Sequence, residues 1–412
     1  MNTYTTPHRK SRLALHTSRL TRYALLLLPL LFLALFYFYP LAAIFGASFA
    51  GSAWADVTAR LFSTTTLRVL GFTFGQATLS TALTLLLGLP GAYVFARYEF
   101  PGKALLQALA TVPFVLPTVV VAAAFTALWG SSSPLRYTLG AILLAHVFYN
   151  VTLVLRLVGG FWANLDPRLE EAARTLGASP WRAFREVTLP LLAPALGAAA
   201  LLVFVFCFTS FGVILVLGGP RFTTLEVEIY RQTIAFANLP LAAALGLVQL
   251  LITLALTLTY TRLQARLARP LELRPQWATQ RRPHKPAEIA LLLATVTLLG
   301  LLLAAPPLTL VARSFDGGLR YYAALFENPR RSIFYVPPIA AVWNSVRFAL
   351  ATMALALLLG LLTSLALYRQ RQGWLLDALF MLPLGTSAVT LGLGYLLGMS
   401  RPPLALRGTP LL

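Results

Sequence analysis

The side chains that carry chemistry are few and badly placed for catalysis. Four histidines, His8, His16, His146 and His284, are scattered and match no metal-ligand spacing. One cysteine, Cys207, sits inside an apolar run, so neither a disulfide within the chain nor a cysteine zinc site can form. Glu170 and Glu171 are adjacent, so on a helix their side chains diverge and make no facing carboxylate pair. No GxxxxGK[ST], HExxH or GxSxG pattern occurs, and no catalytic or metal-binding residue is expected. What remains is polar groups within apolar stretches. His146, Tyr149 and Asn150 lie at i, i+3 and i+4, hence on one helix face. Gln76, Thr78, Ser80, Thr81, Thr209 and Ser210 are set in similar runs, and Pro113 and Pro117 interrupt another near its middle. At membrane depth such groups bond neighbouring helices or line a pathway, and proline breaks mark kinks, gates or sites. His146, Tyr149, Asn150, Pro113, Pro117 and Ser210 are therefore the candidate translocation-pathway residues. Glu226 and Glu228 are expected on a solvated outside loop.

The elements that position these groups are membrane helices. Of 412 residues, 58% are hydrophobic and 11% charged, against about 25% charged in a soluble domain. Mean hydropathy is +0.75. Apolar runs near the 20 residues that span a bilayer as helix predict nine spans, at 23–50, 67–96, 104–129, 137–162, 190–218, 239–261, 287–312, 341–368 and 374–398. The short alternating strands of an outer-membrane barrel are absent. The first run is too long for the 7–15 residues of a typical signal-peptide core. The fold class expected is all-α, a polytopic transmembrane helical bundle.

Charge fixes the orientation. The net charge of +20 would suggest nucleic acid in a soluble protein, but no RNA-binding module of stacked aromatics among bases is seen. Most Lys and Arg instead fall on one set of loops once the N-terminus is placed inside: the tail before residue 23, Arg97 and Lys103, Arg156 to Arg185, and Arg262 to Lys285. This predicts a multi-pass membrane protein with a cytoplasmic N-terminus. Its organisation reads as a basic tail (1–22), a first half of six spans (23–261), a polar cytoplasmic linker (262–286), and a second half of three spans (287–412). The halves look related: with an offset of 270, Pro113 aligns with Pro383, Val119 with Val389 and Phe125 with Tyr395.

The segment 164–190, NLDPRLEEAARTLGASPWRAFREVTLP, is too charged to cross the membrane. Asp166-Pro167 starts a helix by capping, Gly177 ends it, Ser179-Pro180 starts a second, and Pro190 opens the next span. Leu169, Ala172, Ala173 and Leu176 recur at helical spacing and form an apolar ridge that a partner or lipid must cover. The pattern Glu171-Ala172-Ala173, three residues, Gly177, nine residues, Val187-Thr188-Leu189-Pro190 resembles the EAA loop of ABC importer permeases, with Val187 standing where the family has Ile. AILLAHVFYN at 141–150, FTSFGVILVLGG at 208–219 and TTLEVEIYRQ at 223–232 are similar to segments of the tandem permeases for ferric iron or thiamine. The resemblance implies an ATPase-coupling loop built from Glu170, Glu171, Ala172, Ala173, Gly177, Val187, Leu189 and Pro190. It implies a bacterial inner (plasma) membrane, a cytoplasmic ABC ATPase dimer that uses the ATP, no cofactor bound by this chain, and an extracytoplasmic solute-binding protein. It also implies a second permease half or chain, because a two-fold machine needs two coupling loops and the offset puts the second near 441. The rival reading, a secondary transporter driven by an ion gradient, asks for ionisable groups inside the spans, and these are almost absent.

Overall fold

The computed structural model describes residues 19–49, 54–130, 133–267, 279–327, 337–367, 374–400 and 404–406. In chain order the helices are α1 (Arg19–Leu33), α2 (Tyr39–Phe49), α3 (Trp54–Leu61), α4 (Thr64–Arg97), α5 (Lys103–Val115), α6 (Thr118–Trp129), α7 (Leu139–Leu153), α8 (Gly159–Asn164), α9 (Arg168–Thr175), α10 (Pro180–Ala183), α11 (Leu189–Phe208), α12 (Leu225–Tyr230), α13 (Leu239–Leu267), α14 (Pro286–Ser314), α15 (Arg320–Ala323), α16 (Pro338–Leu367), α17 (Trp374–Met381) and α18 (Ala388–Gly398). Seven helical stretches among the described residues are long and apolar enough to cross a membrane, and an eighth is a bent pair. The all-α expectation holds. The basic tail lies almost entirely outside the described residues.

The chain divides into two units. In one, α1 packs along α16. Val342, Trp343, Val346 and Leu350 of α16 are exposed, so this apolar surface requires lipid or protein to cover it. The other unit, residues 40–323 and 376–412, holds the core. Its centre is α4, which packs on α7, α8 and α11. Ser63 caps α4 by accepting from the Thr66 amide at 3.3 Å. The buried face of α4 is a run of small residues, Ala77, Ser80, Thr84, Gly88, Gly91 and Ala92. Small residues let helix backbones approach closely where lipid supplies no hydrophobic drive. At Gly88 a Cβ would stand 2.9 Å from the Val154 side chain, so the crossing there needs glycine.

Three expected spans take a different form. The stretch 104–129 is two helices, α5 and α6, bent by 111°. Pro117 makes the break, because the residue before a proline leaves the helical region: Leu116 lies at φ −67°, ψ 136°. Pro113 does not break α5 but is buried inside it. The stretch 374–398 is α17, a 3-10 turn (Leu382–Gly385) and α18. Pro190 does not open a new element, since Pro180–Phe208 runs on as one stretch of 29 residues. A π-turn at Phe184–Thr188 widens the backbone just ahead of Pro190, which has no amide hydrogen to give the regular ladder. The linker is anchored at its far end. Gln280 donates to the Phe95 carbonyl, the Arg281 amide to the Arg97 carbonyl at 3.0 Å, and the Glu99 amide to the Arg281 carbonyl at 3.0 Å. Residues 268–278 of the linker lie outside the described residues.

Candidate functional site: a polar cavity at two helix breaks and an exposed charged segment

Of the candidate pathway residues, His146, Tyr149, Asn150 and Ser210 come together. His146, in the middle of α7, has both ring nitrogens engaged: Nδ1 with Ser80 Oγ at 2.8 Å and Nε2 with Ser210 Oγ at 2.9 Å. One turn on, Asn150 donates to the His146 carbonyl at 2.9 Å and to Cys207 Sγ at 3.4 Å. Gln76 of α4 reaches the Cys207 carbonyl at 2.9 Å. These bonds knit α4, α7 and the end of α11. Thr78 and Thr81, by contrast, bond back into α4, to the Phe74 and Ala77 carbonyls. Tyr149 donates its hydroxyl to the Leu116 carbonyl, which the break before Pro117 withdraws from the helical ladder. Non-helical backbone at membrane depth is tolerated where protein satisfies it or where it lines a cavity, and both conditions are met here.

A cavity of about 420 Å³ opens at this point, lined by His146, Tyr149, Asn150 and Ser210 of the expected set. Neither Pro113 nor Pro117 lines it, although the residue after each, Phe114 and Thr118, does. On another wall stand Thr386, Ser387, Ala388 and Val389. Here the backbone breaks a second time, with Thr386 at φ −95°, ψ 131° and Ser387 at φ −67°, ψ 142°. Leu116 and Pro117 hold nearly the same angles, 270 residues earlier. Two alike breaks therefore face one cavity. Gly212 lets the loop after α11 close on the first break: a Cβ there would stand 2.3 Å from Thr118 Oγ1.

Glu226 corrects the sequence reading. It is not on a solvated face but 1% exposed, on the connection between α11 and α13. Gln249 and Ser387 donate to its two carboxylate oxygens, and the Val389 amide also bonds to it. Burial pushes its carboxyl up to about 7, against the pull of those three donors. Its partners lie 23 and 161 residues away, so no local pattern marks it.

The segment expected to meet an ATPase, 164–190, is at the opposite end of α11. Asp166 accepts from the Arg168 amide at 3.0 Å, and Arg97 fixes the Leu165 carbonyl at 3.2 Å. α9 closes in a Schellman arrangement, with the Ala178 amide on the Ala173 carbonyl and the Gly177 amide on the Arg174 carbonyl. Gly177 has φ +94°, the region glycine tolerates. Ser179 then caps α10 through the Arg182 amide. Glu170 accepts from Thr188 Oγ1 at 3.0 Å and ties the two arms together. Leu169, Leu176 and Trp181 are exposed, Leu176 at 89%. Glu171 and Ala172 are exposed as well, while Ala173, Val187 and Leu189 are half-buried. Pro190 is exposed at the base of the span.

Residues 84–269 match the family of binding-protein-dependent transport system inner membrane components. The sulfate transport system permease protein CysT of Escherichia coli is 30% identical over 256 residues, which is 58% of this chain and 91% of that one. The chain belongs to this family of binding-protein-dependent inner membrane components. The matched region contains α7, the segment 164–190, α11, α12 and α13. The thiamine transport system permease proteins ThiP of Salmonella typhimurium and Brucella abortus are each 33% identical, over 350 and 340 residues. These alignments cover 80% and 78% of this chain, which spans 63% and 60% of those relatives. A bacterial ABC transporter involved in the import of alginate matches 60% of this chain and 96% of its own, at 19% identity and a TM-score of 0.48.

Proposed function

We propose that the chain is the membrane permease of an ATP-driven ABC importer, carrying thiamine or a close analogue from an extracytoplasmic binding protein into the cytoplasm. The observation that carries the substrate is the likeness to two thiamine permeases across about four fifths of the chain. Its N-terminus is cytoplasmic, and a separate ATPase docks on the segment from Glu170 to Pro190. Supporting the docking, Leu169, Leu176 and Trp181 stand exposed on a segment too charged to enter lipid. The geometry supplies a lever. The 29 residues from Pro180 to Phe208 are continuous helix, roughly 40 Å at 1.5 Å per residue. Motion of the ATPase against α9 and α10 is passed along this rod to Ser210, which lines the cavity and holds His146. The chain itself performs no hydrolysis. It opens and closes the cavity around its cargo as the ATPase turns over.

Cysteine at Ala172 tests the docking. Cys207 is buried and does not compete. Ala172→Cys should crosslink to the co-expressed ATPase and resist an impermeant reagent added from outside. Labelling from outside, or thiamine uptake driven by an ion gradient without ATP hydrolysis, would refute the reading.

A further inference from the structure

The cavity at the two breaks has an uneven charge. Glu226 is its one carboxylate, and no Lys or Arg is among its lining residues. The groups that bond to Glu226, namely Gln249, Ser387 and the Val389 amide, are neutral. Among the described residues no ion pair includes it. Close by, the side-chain oxygen of Gln249 is buried with no hydrogen-bond partner, and so is Thr390 Oγ1. Neither residue lines the cavity, but the Gln249 oxygen adds an unmet acceptor directly behind the carboxylate. A buried carboxylate without a counter-charge is costly in a low dielectric, and an entering positive charge removes that cost. The lining also carries Phe114, Phe206, Phe211 and Tyr149. Aromatic faces attract organic cations through the ring quadrupole. The volume of about 420 Å³ lies in the range of about 300–1,000 Å³ that holds small organic ligands. A hard metal cation is a poorer fit: it asks for six or more oxygen ligands, and no cluster of three metal-ligating side chains exists among the described residues.

We propose that Glu226 is the charge-recognising residue of this cavity, which takes a monovalent organic cation with its charge toward the carboxylate and its flat body against Phe114, Phe206 and Phe211. This rests on the permease reading and deepens it: the cargo class is set by charge as well as by shape. Ser387 and Gln249 then act as positioning residues, holding the carboxylate toward the cavity from the second break and from α13.

The test compares two molecules of nearly the same shape. 1-Methylnicotinamide carries a ring cation, and 3-methylbenzamide is its uncharged carbon isostere. Binding of each to the full chain in lipid nanodiscs is measured by calorimetry. The wild-type chain should prefer the cation at least tenfold. Glu226→Gln should bring the two within about twofold, and Glu226→Asp should keep the preference. A second measurement needs no variant: a membrane-soluble carbodiimide should label Glu226 in the wild-type chain, and the cation should slow the labelling while the isostere does not. Equal binding of the two molecules by the wild-type chain, an unchanged preference in Glu226→Gln, or labelling indifferent to the cation would each overturn the assignment. Failure of crosslinking at Ala172 with the cation preference intact would instead remove the permease reading alone.

Discussion

Gly177 offers a clean perturbation, because its surroundings contribute nothing to the effect. A Cβ built there meets no atom within 4 Å, while φ is +94°. Any penalty must come from the backbone. An L-residue in the left-handed region costs about 1–2 kcal/mol, with Asn cheaper than the rest and β-branched residues worst. One to two kcal/mol is about a 5- to 30-fold loss in the population of the native turn. What is lost is the pair of bonds from Gly177 and Ala178 that aim α10 relative to α9. Gly177→Asn should therefore keep most of the coupling, Gly177→Ala should lose several-fold, and Gly177→Val should lose about tenfold or more. The assay is stimulation of the co-purified ATPase by the loaded binding protein. Global stability should move little: the loop is exposed, and a cost of about 1–2 kcal/mol shifts Tm by about 2–8 °C in a domain of 150–250 residues and by less in a larger one. If Gly177→Val stimulates within twofold of wild type, the turn is not the element that transmits the motion. If all three variants fail alike, the loss is not one of backbone conformation.

Two further outcomes follow from the cavity. Gly212→Ala places a methyl 2.3 Å from Thr118 Oγ1, an overpacking of about 1–3 kcal/mol. Its Tm should fall, with partial recovery in the double variant with Thr118→Ala, whereas an unchanged Tm would mean that the loop does not seat on the break as described. Cation binding should also depend on pH. Glu226 binds a cation as carboxylate, and burial pushes its carboxyl up to about 7, so affinity should rise about tenfold from pH 6 to 8 and flatten in Glu226→Gln. The other titratable groups on the cavity are His146 and Tyr149, while the neighbouring Glu228 and Arg231 are bonded to Gln232 and Thr223. A flat wild-type profile would refute this dependence.

The sequence made legible what short-range rules govern. Asp166-Pro167, Gly177 and Ser179-Pro180 mark a cap, a left-handed stop and a second cap, and each is realised at its position. His146, Tyr149 and Asn150 share a face because the helical repeat demands it, and that face meets the cavity. Pro117 breaks its span because the residue before proline is driven from the helical region. Pro113 carries the same residue type and breaks nothing, since a buried proline four residues earlier is absorbed within α5. The π-turn at Phe184–Thr188 has no residue signature of its own and hides the junction that Pro190 was expected to form. Glu226 was misplaced for a different reason. Its burial is produced by Gln249 and Ser387, which are remote in the chain, and an acidic residue between two spans reads locally as solvated. The stitch between Arg281 and residues 97–99 escaped notice likewise, because a Pro- and Arg-rich stretch gives no pattern for backbone pairing.

The two breaks share backbone angles but not chemistry, and that difference gives the cavity a direction. At the first, the residue entering the second helix is Pro117, which offers no donor; the freed Leu116 carbonyl is met by Tyr149 from across the cavity. At the second, the residue in the same place is Ser387, whose hydroxyl both accepts from the Thr390 amide at 3.1 Å and donates to Glu226. One break is thus closed by a phenol on an aromatic wall, the other by a serine that holds a carboxylate. Two equal walls would bind a polar cargo equally in either orientation. Unequal walls bind a molecule with a charged end and an apolar end in one orientation, because reversing it would place the charge against rings alone and leave Glu226 without a counter-charge. The α11 rod ends at Phe208, two residues before Ser210, which bonds His146 on this same lining. Under the proposed docking, a displacement begun at the 164–190 segment would arrive beside the His146 network. The carboxylate is held separately, by Gln249 of α13 and Ser387 ahead of α18. Shifting one wall while the other is held is a direct way for such a cavity to loosen its grip on an oriented cation.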